Sequence, residues 1–517
     1  MDKANNIPRN DDATTHTFHS AQSSTYTLTA LPEPEKEKGN PNVSVSSVDL
    51  AKAEKQPWEG YLDDELPDKG EAKYVRNFRH QLFTIYHRIF GVVFIVNMSI
   101  FIVYCVRDAT IPRLGVTTTA NLFTCILMRQ DYVINAFFAV FCHTIPLSWP
   151  LWTRQLFSRV YHLGGIHSGT GVSGTIWLIL FAAKSTYEKT RGHTQESLVF
   201  LRNLFTESPD STILQVSIAT IVIMYTILLL LLLMIIFAYP TFRQKFHNSF
   251  ERVHRFMGWT AAALLWVLSV LITNDYKPKE QSLAYALKVS SSFWLTVILT
   301  ASIILPWLRL RKVPVQCEVL SDHALRIFID STANAMPGSF MRISLSPLWE
   351  WHSFATIREP GRTGYSLIIS QAGDWTTNII QNPPEKLWIR GIPVCGVVHI
   401  VPMFRRVLLV ATGSGIAPLI PQILAKTTEL RLLWTSPNVL KTFGAKLVDE
   451  VMAKAPNAVI YDTRIHGRPD MVKLTHRMVD EFKPEAVVVI SNEPLTRKIV
   501  YGMMSRGVLA FGAIWDS

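Results

Sequence analysis

The stretch TILQVSIATIVIMYTILLLLLLMIIFAY, residues 212–239, holds no charged side chain and is long enough to cross a bilayer as one helix. A segment of that kind must be a helix or part of a closed barrel wherever it meets lipid, because no water is there to satisfy its backbone. Five further stretches approach the same length: 81–105, 132–151, 161–183, 254–273 and 289–308. The second and third of the six carry Pro, Gly and His, and Arg129 and Asp131 fall at the mouth of the second. The pattern predicts an all-α bundle of about six transmembrane helices, a multi-pass integral membrane domain.

The basic excess fits that reading. Of 517 residues 48% are hydrophobic, and the formal net charge is +11. Its Lys and Arg cluster beside the apolar segments, at Lys73, Arg76, Arg79, Arg154, Arg159, Arg243, Lys245, Arg252, Arg255, Arg309, Arg311 and Lys312. That bias places both termini in the cytosol and makes the lipid bilayer, not nucleic acid, the partner of the positive charge. The membrane, plasma or internal, is left open. Cys105, Cys125, Cys142, Cys317 and Cys395 form no C-x-x-C, which argues against a disulfide framework or a structural zinc site. Residues 1–75 are polar and lack the short apolar core of a signal peptide, so they read as a disordered cytosolic tail.

After Arg311 the texture changes. Short β-type runs such as FMRISLSP, GYSLIISQAG, RVLLVATG, LRLLWTSP and EAVVVISN alternate with turns, and helix-like stretches near 416–427 and 440–454 separate the later ones. Strands followed by strand–helix units predict a β-barrel over 313–400 and an α/β domain over 401–517, behind a membrane domain over 76–312.

Three local patterns carry chemistry. WEWHSFATI, 349–357, follows a strand. In SLIISQAGDWTTNII, 366–380, a strand runs into Gly373, Asp374, Trp375 and Thr376 and then a helix start, where unpaired N–H groups suit a pyrophosphate. Thr376 and Thr377 add hydroxyl donors there. In RVLLVATGSGIAPLIPQIL, 406–424, a strand, a turn with Gly413, Ser414 and Gly415, and a helix beginning near Pro418 let backbone approach a phosphate closely.

In this order the patterns resemble the ferredoxin-NADP reductase module of NADPH oxidases and ferric reductases. The flavin segment of that family, Glu-Trp-His-Pro-Phe-Thr, reads here Glu350, Trp351, His352, Ser353, Phe354, Ala355, Thr356. More narrowly, YHLGGIHSG, FERVHRFMGWTA, DTRIHGRPDM and the ending VISNEPLTRKIVYGMMSRGVLAFGAIWDS resemble fungal integral membrane flavoproteins of the TmpA type, over about residues 75–517. The resemblance implies FAD at Trp351–Thr356 and Gly373–Thr376, and NADPH or NADH at Gly413–Pro418 with Thr435, Ser436 and Asn492. It also implies a terminal aromatic, Trp515, stacked on the flavin as a gate. Ser491 stands near the hydride-transfer position, where Ser491-Asn492-Glu493-Pro494 replaces the family's Cys-Gly-x-Pro. Ser353 replaces the flavin-segment proline, and no arginine follows Ser436, so the choice between NADH and NADPH stays open.

The histidines limit haem. A two-haem relay needs ligands 13–14 residues apart on each of two helices, about 20 Å of rise. From His167 that spacing reaches Leu180 or Phe181, and from His254 it reaches Val267 or Leu268, so no such relay can be built. One haem between His167 and His254 remains an alternative. The expected function is a membrane flavoprotein oxidoreductase, an enzyme passing electrons from NAD(P)H through FAD to an unknown acceptor in the cytosol or the membrane. The alternatives are a low-turnover redox-sensing or regulatory flavoprotein and a single-haem metalloreductase.

Overall fold

The computed structural model describes residues 56–203, 216–333, 335–358, 361 and 363–513, with side chains omitted over 192–203. Residues 1–55 and Trp515 lie outside the described residues. Helices α1 (Ile85–Val106), α2 (Ile111–Leu127), α3 (Asp131–Phe138), α4 (Gly164–Asn203), α5 (Ile218–Phe237), α6 (His247–Tyr276) and α7 (Ser291–Ile304) build the first half. Among the described residues five helices are long and apolar enough to cross a membrane. The sixth possibility is a bent pair, Ile111–Leu127 with Asp131–His143, which meet at 71°.

This differs from the expected spans. The stretch 132–151 is not one helix: α3 ends at Phe138, a π-turn runs to His143, and a separate short helix occupies Leu151–Phe157. Pro146 and Pro150 between them cannot donate to a helical ladder. Its partner α2 escapes a hydropathy reading because it is rich in Thr. Thr117, Thr118, Thr119 and Thr124 each donate to the carbonyl four residues back at 2.9 Å, so the helix offers a neighbour little unmet polarity.

Helix α4 is the hub, packed on α1, α2 and α5. Its glycine-rich start permits close approach; a Cβ at Gly165 would lie 2.6 Å from the Tyr86 carbonyl oxygen. Deeper in, the fully buried Trp177 donates its Nε1–H to Asn97 Oδ1 at 2.9 Å.

Two four-stranded antiparallel sheets follow. One has the order β1 (Arg311–Pro314), β8 (Lys386–Cys395), β4 (Ser339–Ser344), β5 (His352–Ala355). The other runs β2 (Gln316–Ser321), β3 (Ala324–Ile329), β7 (Tyr365–Ser370), β6 (Ile357–Arg358). Both contribute to one core, with Ile327, Met341, Ile343, Leu367, Leu387 and the α8 (Asp374–Gln381) residues Ile379 and Ile380.

The last unit is a parallel sheet of β9 (Arg406–Thr412), β10 (Glu429–Ser436), β11 (Val459–Asp462), β12 (Ala486–Ile490) and β13 (Ala510–Gly512), ordered β11-β10-β9-β12-β13. That order reverses direction between β9 and β12, and a doubly wound sheet opens a crevice at the carboxyl ends of the strands there. Helices α9 (Met471–Phe482) and α10 (Glu493–Met504) flank it.

Buried polar contacts join the bundle to both sheet units. The buried Arg154 holds Glu485 through two hydrogen bonds of 2.8 and 3.0 Å and also donates to the Met403 carbonyl. Asp131, also buried, accepts from Arg342 at 2.8 Å, and Asn135 bonds the β8 backbone at Pro393 and Cys395.

The polar tail, expected to be disordered to residue 75, packs from Gln56 onward against α9 and α10. Tyr61 is buried, Asp64 pairs with Arg477 at 2.9 Å, and Trp58 lies 4.2 Å from the His466 ring. The segment is too polar to order alone; its few apolar groups find a partner surface that composition cannot reveal.

Arg154→Met should destabilise the folded protein by about 3 kcal/mol, because it strands Glu485 against a buried backbone. The Arg154 hydrogen bonds hold the Glu485 carboxyl below its ordinary range. Its stabilising share is therefore present above the unfolded carboxyl value of about 4.3 and lost as pH falls toward the folded value. Thermal unfolding of detergent-solubilised protein across pH should show Glu485→Gln with a flatter acid limb than the native chain.

Candidate functional site

The expected cofactor residues fall into two clusters. The first lies on the paired antiparallel sheets, at β5 and the start of α8. Side chains alternate along β5, so His352 and Phe354 point one way and Trp351 and Ser353 the other. His352 stacks on Trp375, ring centroids 3.9 Å apart, and Phe354 lies 6.0 Å from the same indole. Glu350 ties the group together, accepting from Trp375 Nε1 at 2.7 Å and lying 3.5 Å from His352 Nε2.

Trp351 is elsewhere. It is buried, donates to the Pro347 carbonyl, and meets Trp307 edge to face, the Arg390 guanidinium lying 4.5 Å from its ring and 4.7 Å from that of Trp307. Burial, with Arg342 close by, brings the Arg390 guanidinium down to about 10. Trp351 therefore braces its sheet against the Trp307 segment that follows α7, and Ser353 is exposed. Thr356 is wholly buried with its hydroxyl 2.7 Å from that of Ser339, which makes it a core residue and not a ligand contact.

The loop from β7 into α8 also corrects an expectation. Thr376 Oγ1 accepts from the Ala372 and Gly373 amides at 2.9 and 3.0 Å and donates to the Gly373 carbonyl, as Thr377 does. Both hydroxyls close the local cap before any phosphate arrives. Asp374 opens the helix. The group left over is Ser370 Oγ, buried at the end of β7 without a hydrogen-bond partner. A buried hydroxyl that lacks a partner costs stability unless a ligand supplies one. Ser370 was legible as the polar end of SLIIS, one strand position before the loop.

The second cluster occupies the crevice between β9 and β12. Gly413 turns with φ +51°, and a Cβ on Gly415 would lie 2.1 Å from the Ile490 carbonyl oxygen. The β9 chain thus crosses the end of β12 at backbone distance. Thr412 and Ser491 meet there hydroxyl to hydroxyl at 2.5 Å, and Trp434 Nε1 fastens the Gly413 carbonyl at 3.1 Å. Ser414 is exposed at the tip and Pro418 half-buried behind it. The turn is a 3-10 segment, Gly413–Ile416, and the helix after it is shorter than expected, Ile420–Ala425.

Asn492 spends its Oδ1 capping α10 through the Leu495 amide. Thr435 is buried and directed at the Met471 sulfur, so it does not face the crevice. Its neighbour Ser436 is buried with an unpartnered hydroxyl at the carboxyl end of β10, beside β9. The structure therefore gathers Thr412, Gly413, Ser414, Gly415, Ser436 and Ser491 along one strand-end edge.

The haem candidates do meet. His167 on α4 and His254 on α6 have ring centroids 6.3 Å apart. His167 Nδ1 lies 2.8 Å from the Cys125 carbonyl oxygen, while His254 Nδ1 is buried without a partner. Among the described residues no group of three or more His, Cys, Asp or Glu could hold a metal ion.

Residues 397–517 match the family described as Adenylate-forming reductase 03009, C-terminal domain. The chain is 52% identical over 475 residues to adenylate-forming reductase 03009 of Coprinopsis cinerea and 50% identical over 477 residues to adenylate-forming reductase 06235 of the same organism. Each alignment covers 92% of this chain and 44% of the relative, so the chain spans less than half the length of the proteins it matches. A ferredoxin NADP+ reductase from Neisseria gonorrhoeae with bound FAD and NADP aligns at TM-score 0.33 and 11% identity, over 40% of this chain and 99% of that one. A flavohemoglobin from Malassezia yamatoensis aligns at TM-score 0.35 and 12% identity, over 79% of this chain and 97% of that one.

The two glycines should separate by mechanism. Nothing lies within 4 Å of a Cβ at Gly413, so Gly413→Ala should cost about 1–2 kcal/mol through its left-handed backbone alone. Gly415→Ala drives a methyl into the Ile490 carbonyl and should cost more. Thermal unfolding of the two variants reads both costs.

Proposed function

We propose that this chain is a membrane-embedded flavoprotein reductase, taking electrons from NADH or NADPH through FAD to an acceptor on the cytosolic side or in the inner leaflet. The observation that carries it is the glycine turn at the strand-order reversal, with the unpartnered Ser436 hydroxyl on the same edge. The reductase names of the relatives support the reaction class. The apolar helices and the basic residues at their ends support multi-pass insertion with both termini cytosolic.

The residues divide the work. Trp375, His352 and Phe354 offer the aromatic surface for a planar ring, and Ser370 offers a buried hydroxyl to a phosphate oxygen. The Gly413–Gly415 backbone and Ser436 would receive the nicotinamide nucleotide's phosphate and ribose. Ser491, fixed by Thr412, sits at the crevice where the nicotinamide would enter. When bound, FAD supplies the exchange between two-electron and one-electron chemistry. Trp515 is proposed as the flavin-stacking gate.

A second reading has its own observation: His167 and His254 face each other across α4 and α6, one imidazole oriented by a backbone carbonyl as metal-ligating histidines commonly are. It adds one haem to the bundle.

An absorption spectrum of the detergent-purified chain, before and after each nucleotide, tests all of this. We expect flavin bands bleached by one nucleotide. Absence of flavin overturns the proposal, and a Soret band establishes the second reading. Flavin that neither nucleotide reduces, with no turnover of an artificial acceptor, would make the chain a sensor. Trp375→Ala should weaken flavin retention by about 1 kcal/mol, read as flavin content per chain after dialysis.

A further inference from the structure

A cavity of about 820 Å³ lies where the base of the bundle faces α10 and β13. That volume is in the range of small-molecule sites. It is bounded by the segment leading into α1, by the stretch 152–162, and by the outer face of α10. It shares Pro494 with the loop after β12 but none of the residues gathered at the crevice.

Its charge is one-sided. Arg79, Arg88, Arg159, Arg497 and Lys498 line it, and among the described residues lining it there is no carboxylate. Glu71 and Glu493 pair with Arg79 and Arg497 from outside the lining. Arg88 donates to the Phe83 and Arg79 carbonyls, and Arg159 lies 4.5 Å over the Phe511 ring. Neither Arg88, Arg159 nor Lys498 has a carboxylate partner among the described residues. Converging cations repel one another, and the arrangement is compensated when an anion enters.

The lining is also partly apolar, with Trp152 and Leu156 from the 152–162 stretch and Val500 and Met504 from α10. Trp152 is 67% and Leu156 62% exposed, large hydrophobic surface left open beside concentrated positive charge. Polar depth is supplied by His162, which lines the cavity, is 8% exposed, and has an Nδ1 without a hydrogen-bond partner. A simple inorganic anion uses the cations but leaves the apolar side chains wet. A neutral lipid covers those side chains but leaves the cations uncompensated. Guanidinium groups match the oxygens of a phosphate better than a single carboxylate would use them.

We propose that this cavity binds an amphipathic phosphate, its phosphoryl head among Arg88, Arg159 and Lys498 and its alkyl or acyl tail against Trp152, Leu156, Val500 and Met504. The head belongs either to an anionic membrane lipid or to a soluble phosphorylated metabolite with an apolar tail. The site stands whether or not the flavin reading holds.

The test titrates the full chain, held in phosphatidylcholine nanodiscs, with hexyl phosphate and separately with inorganic phosphate by calorimetry. Hexyl phosphate should bind saturably and more tightly than inorganic phosphate. Lys498→Glu should weaken both by about tenfold. Trp152→Ala should weaken hexyl phosphate and leave inorganic phosphate unchanged. Both side chains are exposed, so circular dichroism of the variants should match the native chain. If phosphatidic acid added to the nanodiscs displaces hexyl phosphate, the resident ligand is a lipid; if it does not, the ligand is a soluble phosphate. Hexyl phosphate binding no tighter than inorganic phosphate, or binding that both variants leave untouched, overturns the proposal.

Discussion

The break in the chain after α2 governs how the molecule is assembled. A 71° bend turns α3 away from the bundle, and the residues that follow become the ones that hold the two sheet units. Asp131 reaches Arg342, Asn135 reads the β8 backbone, and Arg154 clasps Glu485 at the foot of β12. Around these polar fixings one apolar core runs through Phe138 and Val160 of the bundle, Val401 and Phe404 of the connection, and Leu409 and Phe511 of the parallel sheet. Ionic contacts of this kind add little net stability against apolar substitutes, yet removing one partner is costly. They serve to set where the units meet.

The buried polar groups divide into those the chain satisfies itself and those it leaves without a partner. The Thr hydroxyls of α2 donate to carbonyls one turn back, and Thr376 and Asn492 close helix caps. The buried Ser370, Ser436, His162 and His254 side chains each keep an atom without a partner. Ser370 and Ser436 end strands beside the two clusters, His162 lines the cavity at the base of the bundle, and His254 faces His167. Since an unmet buried hydrogen bond is expensive, these atoms mark places where something else is expected to complete the structure.

Much of the site was legible in the sequence because close approach and tight turning restrict residue type. Gly413 stands where a left-handed turn disfavours any side chain, and Gly415 where a backbone crossing leaves no space for one. His352 and Trp375 were legible as members of two motifs, but their mutual stacking was not, since 23 positions of chain separate them. Trp351, Thr356 and Thr435 were misplaced for one reason. A motif says which residues travel together, while strand alternation decides which of them face inward.

What the sequence determined by itself was local and periodic. The apolar runs of α1, α5, α6 and α7, the alternation of the antiparallel strands, and the glycine turn after β9 all follow from short-range rules of burial and backbone geometry. The tertiary structure decided everything that depends on a distant partner. The bent α2–α3 pair, the ordering of residues 56–72 against α9 and α10, the strand order that opens a crevice, and the cationic cavity at the base of the bundle all join residues far apart in the chain. No local pattern encodes those meetings, because the free energy that selects them comes from surfaces that exist only after the separate elements have formed.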